Sequence, residues 1–195
     1  MLSSQKKSVE SVLDPLVKQL RYVNPNILTL LGSIPPILFF VFVVNHMYIA
    51  AMFTFFGNLI DLFDGMIARK YNKVTAFGGF LDSTIDRIAD FFIITAFAFS
   101  GIVRWELVIP VLLFAFLTSY IRSRGELANP KASFAVGLVE RTERLILLAI
   151  ALLIYAILPE VSLGQYNIAE LTFIVIGFLS AVTVGQRVHY AYKHL

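Results

Sequence analysis

The chain has 195 residues, 58% of them hydrophobic and 15% charged, with a mean hydropathy of +0.78, above what an ordinary soluble domain reaches. Its formal net charge is only +3 and it contains no cysteine, which excludes a disulfide scaffold, thiolate nucleophiles, Cys-ligated zinc and iron–sulfur clusters, while the apolar content excludes disorder. The composition is that of a membrane protein whose surroundings are the lipid bilayer, and no nucleic-acid partner is expected.

Residues 1–10 are polar, carry Lys6 and Lys7, and lack the apolar stretch and small-residue cleavage site of a secretory signal, so they are expected to stay on the mature protein. From 9 to 22, Val9, Val12, Leu13, Leu16, Val17 and Leu20 recur at helical spacing against Lys18 and Arg21. The pattern predicts an amphipathic helix lying in the membrane interface, although a soluble helix would look the same in isolation. Asn24-Pro25-Asn26 ends it. Six apolar stretches follow, at 27–44, 47–60, 91–103, 107–121, 145–158 and 171–185. They predict an all-α integral membrane bundle of six transmembrane helices in one domain spanning 1–195, with 1–25 as a cytoplasmic or interfacial segment and 26–190 as the six helices. Pro35-Pro36 should kink the first of these helices.

All stretches but the first are only 13 to 15 residues long. At about 1.5 Å per residue they fall short of a hydrocarbon core of about 30 Å, so each must continue through a charged turn. The continuations are 61–69, 80–90, 119–124, 140–144 and 186–187, and alternation of six helices puts all five at one side. With the N-terminal segment there too, 15 of the 16 Lys and Arg share that side and only Arg104 lies on the other. The positive-inside rule makes it the cytoplasm, so a multi-pass protein of the cell membrane is expected, with a polar site opening inward.

That site is acidic. Asp61 and Asp64 are three apart, and Asp82, Asp86 and Asp90 follow one another by four, so two helices each present a row of carboxylates. One charge near the membrane centre costs about 2.5–3.5 kcal/mol on insertion scales, so this set needs compensation on the order of 10 kcal/mol. Arg69 and Arg87 are too few to neutralise it. Two divalent cations would suffice, and an all-oxygen donor set favours Mg²⁺ or Mn²⁺ over zinc; an ion-paired network without metal is the competing reading. Gly65 and Gly78-Gly79 leave room for a bulky group near the backbone or for close helix packing.

The run Asp61-x2-Asp64-Gly65-x2-Ala68-Arg69-x8-Gly78-x3-Asp82-x3-Asp86 resembles, at every fixed position, the signature of the CDP-alcohol phosphatidyltransferases. The resemblance spans nearly the whole chain and implies six membrane helices with a site toward the cytoplasm. It also implies that Asp61 and Asp82 bridge two metal ions, that Asp64 and Asp86 each bind one of them, and that Asp86 is the candidate general base. Gly65, Arg69 and Thr75, with the Asn24, Pro25, Asn26 and Ile27 turn, would hold the cytidine diphosphate of the lipid donor. Asp90 continues the row but lies outside the signature, and reads as a support behind the ligands.

The stretches 119–126 and 137–144, followed by Gln186-Arg187, look like the inositol-phosphate-accepting branch of the family, the archaetidylinositol and phosphatidylinositol phosphate synthases. Members of that branch often carry Lys where Arg122 stands; Arg keeps the charge and adds bidentate reach. Arg122, Arg144 and Arg187 are expected at the cytoplasmic ends of three different helices, where they either snorkel to lipid headgroups or converge on the phosphate of an acceptor such as inositol 1-phosphate. The resemblance thus implies transfer of a phosphatidyl-type group from CDP-archaeol or CDP-diacylglycerol to inositol 1-phosphate with release of CMP, by a homodimer. Glycerol 3-phosphate and serine are the alternative acceptors. A divalent-cation transporter is the alternative outside enzymes, but it needs access from both faces and the outer halves of these helices carry acids only near loops. His46, His189, His194 and Trp105 read as interfacial side chains.

Overall fold

In the computed structural model, which describes residues 22–57 and 66–195, the chain is almost wholly helical. All but the last residue of the interfacial helix expected over 9–22, and Asp61, Asp64 and Gly65, lie outside the described residues.

Helix α1 (Pro25–Leu31) is started by Asn24, whose Oδ1 accepts from the Asn26 N–H at 3.0 Å, and by Pro25, whose φ is preset for the first helical position. It stops at Gly32, and α2 (Ile34–Val44) begins at once, because Pro35 and Pro36 have no N–H to give to carbonyls one turn back. The proline pair therefore interrupts the first apolar stretch, as expected. Helix α3 (Tyr48–Phe56) packs back along α2. Residues 66–70 are helical, and fully buried Ile67 packs on Leu28, which draws Ala68 and Arg69 to the side of α1.

Helix α4 (Ala76–Phe99) is capped by Thr75 Oγ1, which accepts from the Gly78 N–H at 2.9 Å. It runs unbroken through the charged turn at 80–90, the continuation that the short apolar stretch at 91–103 demands. Helices α5 (Trp105–Ala128), α6 (Arg141–Ile157) and α7 (Ile168–His194) complete the bundle; α5 and α6 pack on α7, and α2 and α5 pack on α4. Three segments, Pro25–Val44, Trp105–Ala128 and Ile168–His194, are long and apolar enough to cross a membrane by length and composition. Helix α4 has the length but carries Asp82, Asp86, Arg87 and Asp90, and the 17 residues of α6 open on Arg141, Glu143 and Arg144.

The described residues depart from the all-α expectation at one place, a two-stranded antiparallel ribbon of β1 (Ser162–Leu163) and β2 (Tyr166–Asn167), turned at Gly164 with φ +63°. Asn167 caps α7, donates from Nδ2 to the Ile102 carbonyl at 2.7 Å, and stands beside Glu170, which pairs with Arg104 at 2.8 Å. These contacts tie the 100–104 turn to the start of α7.

The apolar core lies toward this same end. Phe39, Phe97 and Phe173, from α2, α4 and α7, pack in series with tilted rings, centroids 6.4 and 5.2 Å apart, and are all but inaccessible. Ile93, Ile94, Val108, Val111, Leu148, Leu152 and Ile176 surround them. Toward its N-terminus α4 is largely exposed, so the helices pack tightly at one end and part at the other. The parting is the site.

Candidate active site

Two cavities open between the parted helices, and Asp82 lines both. The first, of about 280 Å³, lies between the start of α1 and the start of α4. Pro25, Asn26, Arg69 and Thr75, four of the residues singled out in the sequence for nucleotide binding, line it together with Lys73 and Asp82. Two others do not. Asn24 contributes as the cap of α1, and the Ile27 side chain is 52% exposed on the outer face of that helix. Gly78 keeps the wall thin: a β-carbon there would lie 3.1 Å from both Asn26 Oδ1 and Thr75 Oγ1. Lys73, which sequence reasoning passed over, donates to the Val23 carbonyl at 3.4 Å and lies close to the cavity because 66–73 folds onto α1.

The second cavity, of about 680 Å³, is bounded by α4, α5, α6 and α7. Arg122, Arg144 and Arg187 all line it, joined by Arg141 and by Asp82 and Asp86. Their environments differ sharply. Arg122 is about half exposed and donates from Nε to Glu126 at 2.9 Å, one turn along α5. Arg187 is 3% exposed and donates from Nε to the Val136 carbonyl, from Nη1 to the Thr118 carbonyl and from Nη2 to Glu140. Arg144 is 1% exposed, so it does not snorkel to a surface. Arg141 pairs with Asp86 Oδ1 and, at 3.0 Å, with Asp90 Oδ1; Asp86 Oδ2 also takes Arg87 at 3.2 Å.

A strap over residues 129–140 closes the side of this cavity against α7. Thr183 Oγ1 accepts from the N–H groups of Leu138 and Val139 at 3.1 and 3.2 Å. Gly137 next to them has φ +144°, and a β-carbon there would overlap the Thr183 methyl. The strap delivers Glu140 and Arg141 to the cavity edge, where the Glu143 carboxylate caps the Glu140 N–H at 3.1 Å and starts α6.

Residues 22–185 match the family model for CDP-alcohol phosphatidyltransferase. The chain belongs to the CDP-alcohol phosphatidyltransferase family. An archaetidylinositol phosphate synthase from Pyrococcus horikoshii is 37% identical over 198 residues, covering 100% of this chain and 98% of its own. A crystal structure of Mycobacterium tuberculosis phosphatidylinositol phosphate synthase with CDP-DAG bound matches with a TM-score of 0.77 at 26% identity, over 91% of this chain and 92% of that one. A second structure of the mycobacterial enzyme, in complex with manganese and citrate, shares the fold at a TM-score of 0.79 and 24% identity, over 91% and 88% of the two chains.

Asp82 stands where the two cavities meet. Asp82 is exposed and has no hydrogen bond or ion pair among the described residues, while Asp86, one turn further, sits beside it on the same helix. No histidine lines either cavity, so the donor set is oxygen and suits a hard divalent cation. Among the described residues no cluster of three or more His, Cys, Asp or Glu could hold a metal; Asp61 and Asp64, the other expected ligands, lie outside them. The residues that sequence reasoning undervalued are Arg141 and Asp90. Asp90 is fully buried and joins α4 to α6, a partnership between positions 51 and 54 residues apart that no local pattern announces.

Proposed function

We propose that this transferase moves the phosphatidyl-type group of a CDP-linked lipid, CDP-archaeol or CDP-diacylglycerol, to 1L-myo-inositol 1-phosphate, giving archaetidyl- or phosphatidylinositol phosphate and CMP. The observation that carries this reading is the pair of cavities meeting at Asp82, the second bearing Arg122, Arg141, Arg144 and Arg187. An acceptor that already bears a phosphate monoester calls for such a cluster, whereas an uncharged alcohol has no use for it. The full-length relative named archaetidylinositol phosphate synthase and the mycobacterial structure with CDP-DAG support the same acceptor class and donor.

In this reading Gly65, Arg69 and Thr75, with the turn of Asn24, Pro25, Asn26 and Ile27, hold the cytidine diphosphate. Arg122, Arg144 and Arg187 form the surroundings of the acceptor phosphate. A hydroxyl oxygen of inositol forms a bond to the lipid-side phosphorus, the bond from that phosphorus to the CMP oxygen breaks, and the hydroxyl proton passes to an oxygen of Asp86. Asp61, Asp64, Asp82 and Asp86 would hold two Mg²⁺ or Mn²⁺ ions, which when bound draw charge from the pyrophosphate and stabilise CMP as it leaves. The manganese complex of the mycobacterial enzyme supports a divalent cation.

Six membrane helices with an interfacial N-terminal segment, a site facing the cytoplasm of a cell-membrane protein, and a homodimer complete the proposal. Fifteen of 16 Lys and Arg on one side of the six-helix arrangement support the orientation. The deciding experiment is an acceptor panel: radiolabelled CDP-archaeol or CDP-diacylglycerol offered to inositol 1-phosphate, inositol, glycerol 3-phosphate and serine. Labelled product with inositol 1-phosphate alone is the expected result; equal use of free inositol overturns the acceptor assignment and leaves the transferase class standing.

A further inference from the structure

Asp90 is fully buried and its two oxygens are divided between two arginines of the first turn of α6: Oδ1 accepts from Arg141 Nε at 3.0 Å and Oδ2 from Arg144 Nη2 at 2.7 Å. Arg141 and Arg144 are three apart on one helix, so their like charges face the same side and repel. One carboxylate inserted between them takes one donor from each, and Arg141 has a second carboxylate partner in Asp86, whereas Arg144 has Asp90 alone among the described residues. Arg144 retains Nε and Nη1, both buried and without a hydrogen-bond partner among the described residues. Buried donors of a guanidinium are costly to leave unmade, and these belong to a side chain that lines the larger cavity. Terminal oxygens of a phosphate monoester brought against this side chain from the cavity would supply the acceptors they lack.

We propose that Asp90 is a positioning residue for the acceptor phosphate: it clamps Arg141 and Arg144 from behind and fixes the direction in which the remaining Arg144 donors are offered to the cavity. The proposal deepens the acceptor-site reading above and rests on it. Asp90 touches neither substrate. Its effect is transmitted through the guanidinium planes, because holding Nη2 on Oδ2 fixes the directions in which Nε and Nη1 of the same rigid, planar group point. A carboxylate that served only to neutralise a buried charge would not need to be divided between two arginines, one of which also reaches Asp86.

The test is steady-state kinetics of Asp90→Asn, Arg144→Met and the double variant in the full-length enzyme, with inositol 1-phosphate and CDP-lipid varied separately and the melting temperature measured alongside. Asp90→Asn keeps the shape and one acceptor oxygen but loses the charge. The expected result is a rise of tenfold or more in KM for inositol 1-phosphate, less than twofold change in KM for CDP-lipid, and a double variant whose acceptor KM is no higher than that of Arg144→Met alone. A lowered melting temperature with acceptor KM unchanged, or effects of the two substitutions that multiply, overturns the proposal. Should Asp90→Asn fail to accumulate, Asp90→Glu retains the charge and displaces it by one methylene: a raised acceptor KM in a folded Asp90→Glu enzyme supports positioning, and a wild-type KM overturns it. Arg144→Met separates this inference from its foundation. If that variant leaves acceptor KM unchanged, the acceptor-site reading fails; if it raises KM while the Asp90 variants do not, only the role of Asp90 fails.

Discussion

Arg187 of α7 donates from Nε to the carbonyl oxygen of Val136, 51 residues earlier in the chain, at 2.8 Å. With Nη1 on the Thr118 carbonyl and Nη2 on Glu140, the guanidinium links α7, α5 and the strap before α6. It therefore builds the wall of the larger cavity as well as contributing charge to it. Arg122, with about half its side chain exposed and bonded to Glu126 one turn along its own helix, carries no such structural duty.

The two arginines should separate in experiment. Arg187→Lys keeps the charge but cannot bridge three acceptors, and is expected to cost about 2–4 kcal/mol of stability while weakening acceptor binding. Arg122→Ala should leave the melting temperature within a degree or two and raise KM for inositol 1-phosphate about 10-fold or more, the loss of charge-assisted bonds worth about 1.5–3 kcal/mol. Thermal melts in detergent and acceptor kinetics on both variants check this; an Arg187→Lys enzyme as stable as wild type contradicts the bridging role.

Thr183→Val removes an oxygen and preserves shape. The N–H groups of Leu138 and Val139 lose their acceptor, so a cost of about 1–3 kcal/mol is expected, together with raised acceptor KM and unchanged donor KM. Hydrogen exchange at the two amides should accelerate; protection equal to wild type would show that the strap is held by other means.

At the donor cavity, Gly78→Val adds a side chain whose β-carbon starts 3.1 Å from Asn26 Oδ1 and points more bulk at the same place. KM for CDP-lipid should rise by about 10-fold or more, since misplacing a binding wall by an ångström is felt strongly, whereas KM for inositol 1-phosphate stays put. The opposite pattern would assign the two cavities the other way round.

Asp82→Asn should abolish turnover while the protein still inserts and retains its helical circular dichroism, because a neutral amide cannot hold divalent cations at the junction of the cavities. Manganese binding followed by electron paramagnetic resonance should be lost in parallel. Full turnover of wild-type enzyme in EDTA would remove the metal from the mechanism.

Asp86→Asn is expected to slow turnover by about 10²-fold or more, the usual effect of losing a general base. Its KM for CDP-lipid should change little. Unchanged turnover with intact manganese binding would pass the proton-accepting role to another group.

How much of this was readable in advance depended on range. The aspartate row was legible because 82, 86 and 90 share a helix face by spacing alone, and the donor turn because Asn24-Pro25 is a local start signal that needs nothing else in the chain. The arginines were legible as charge but not as architecture. Snorkelling and phosphate binding were the two readings available, and Arg187 turned to backbone carbonyls of two distant segments, a partnership set by tertiary packing. Asp90 read as a support behind the row, and its division between Arg141 and Arg144 depends on α6 meeting α4. The ribbon at 162–167 escaped because strands of two residues carry no periodicity, and adjacency in sequence could not tell that Ile27 is exposed and outside the lining of the smaller cavity.

The packed phenylalanines at 39, 97 and 173 begin only seven residues beyond Asp90 along α4, about 10 Å of helix. An open, highly charged vestibule thus ends against an apolar plug. In a bilayer this makes the vestibule blind: ions and protons that gather around its carboxylates and arginines meet an apolar barrier instead of a conduit. An enzyme so built can keep water-soluble substrates deep among its helices without short-circuiting the electrochemical gradient of the membrane it serves.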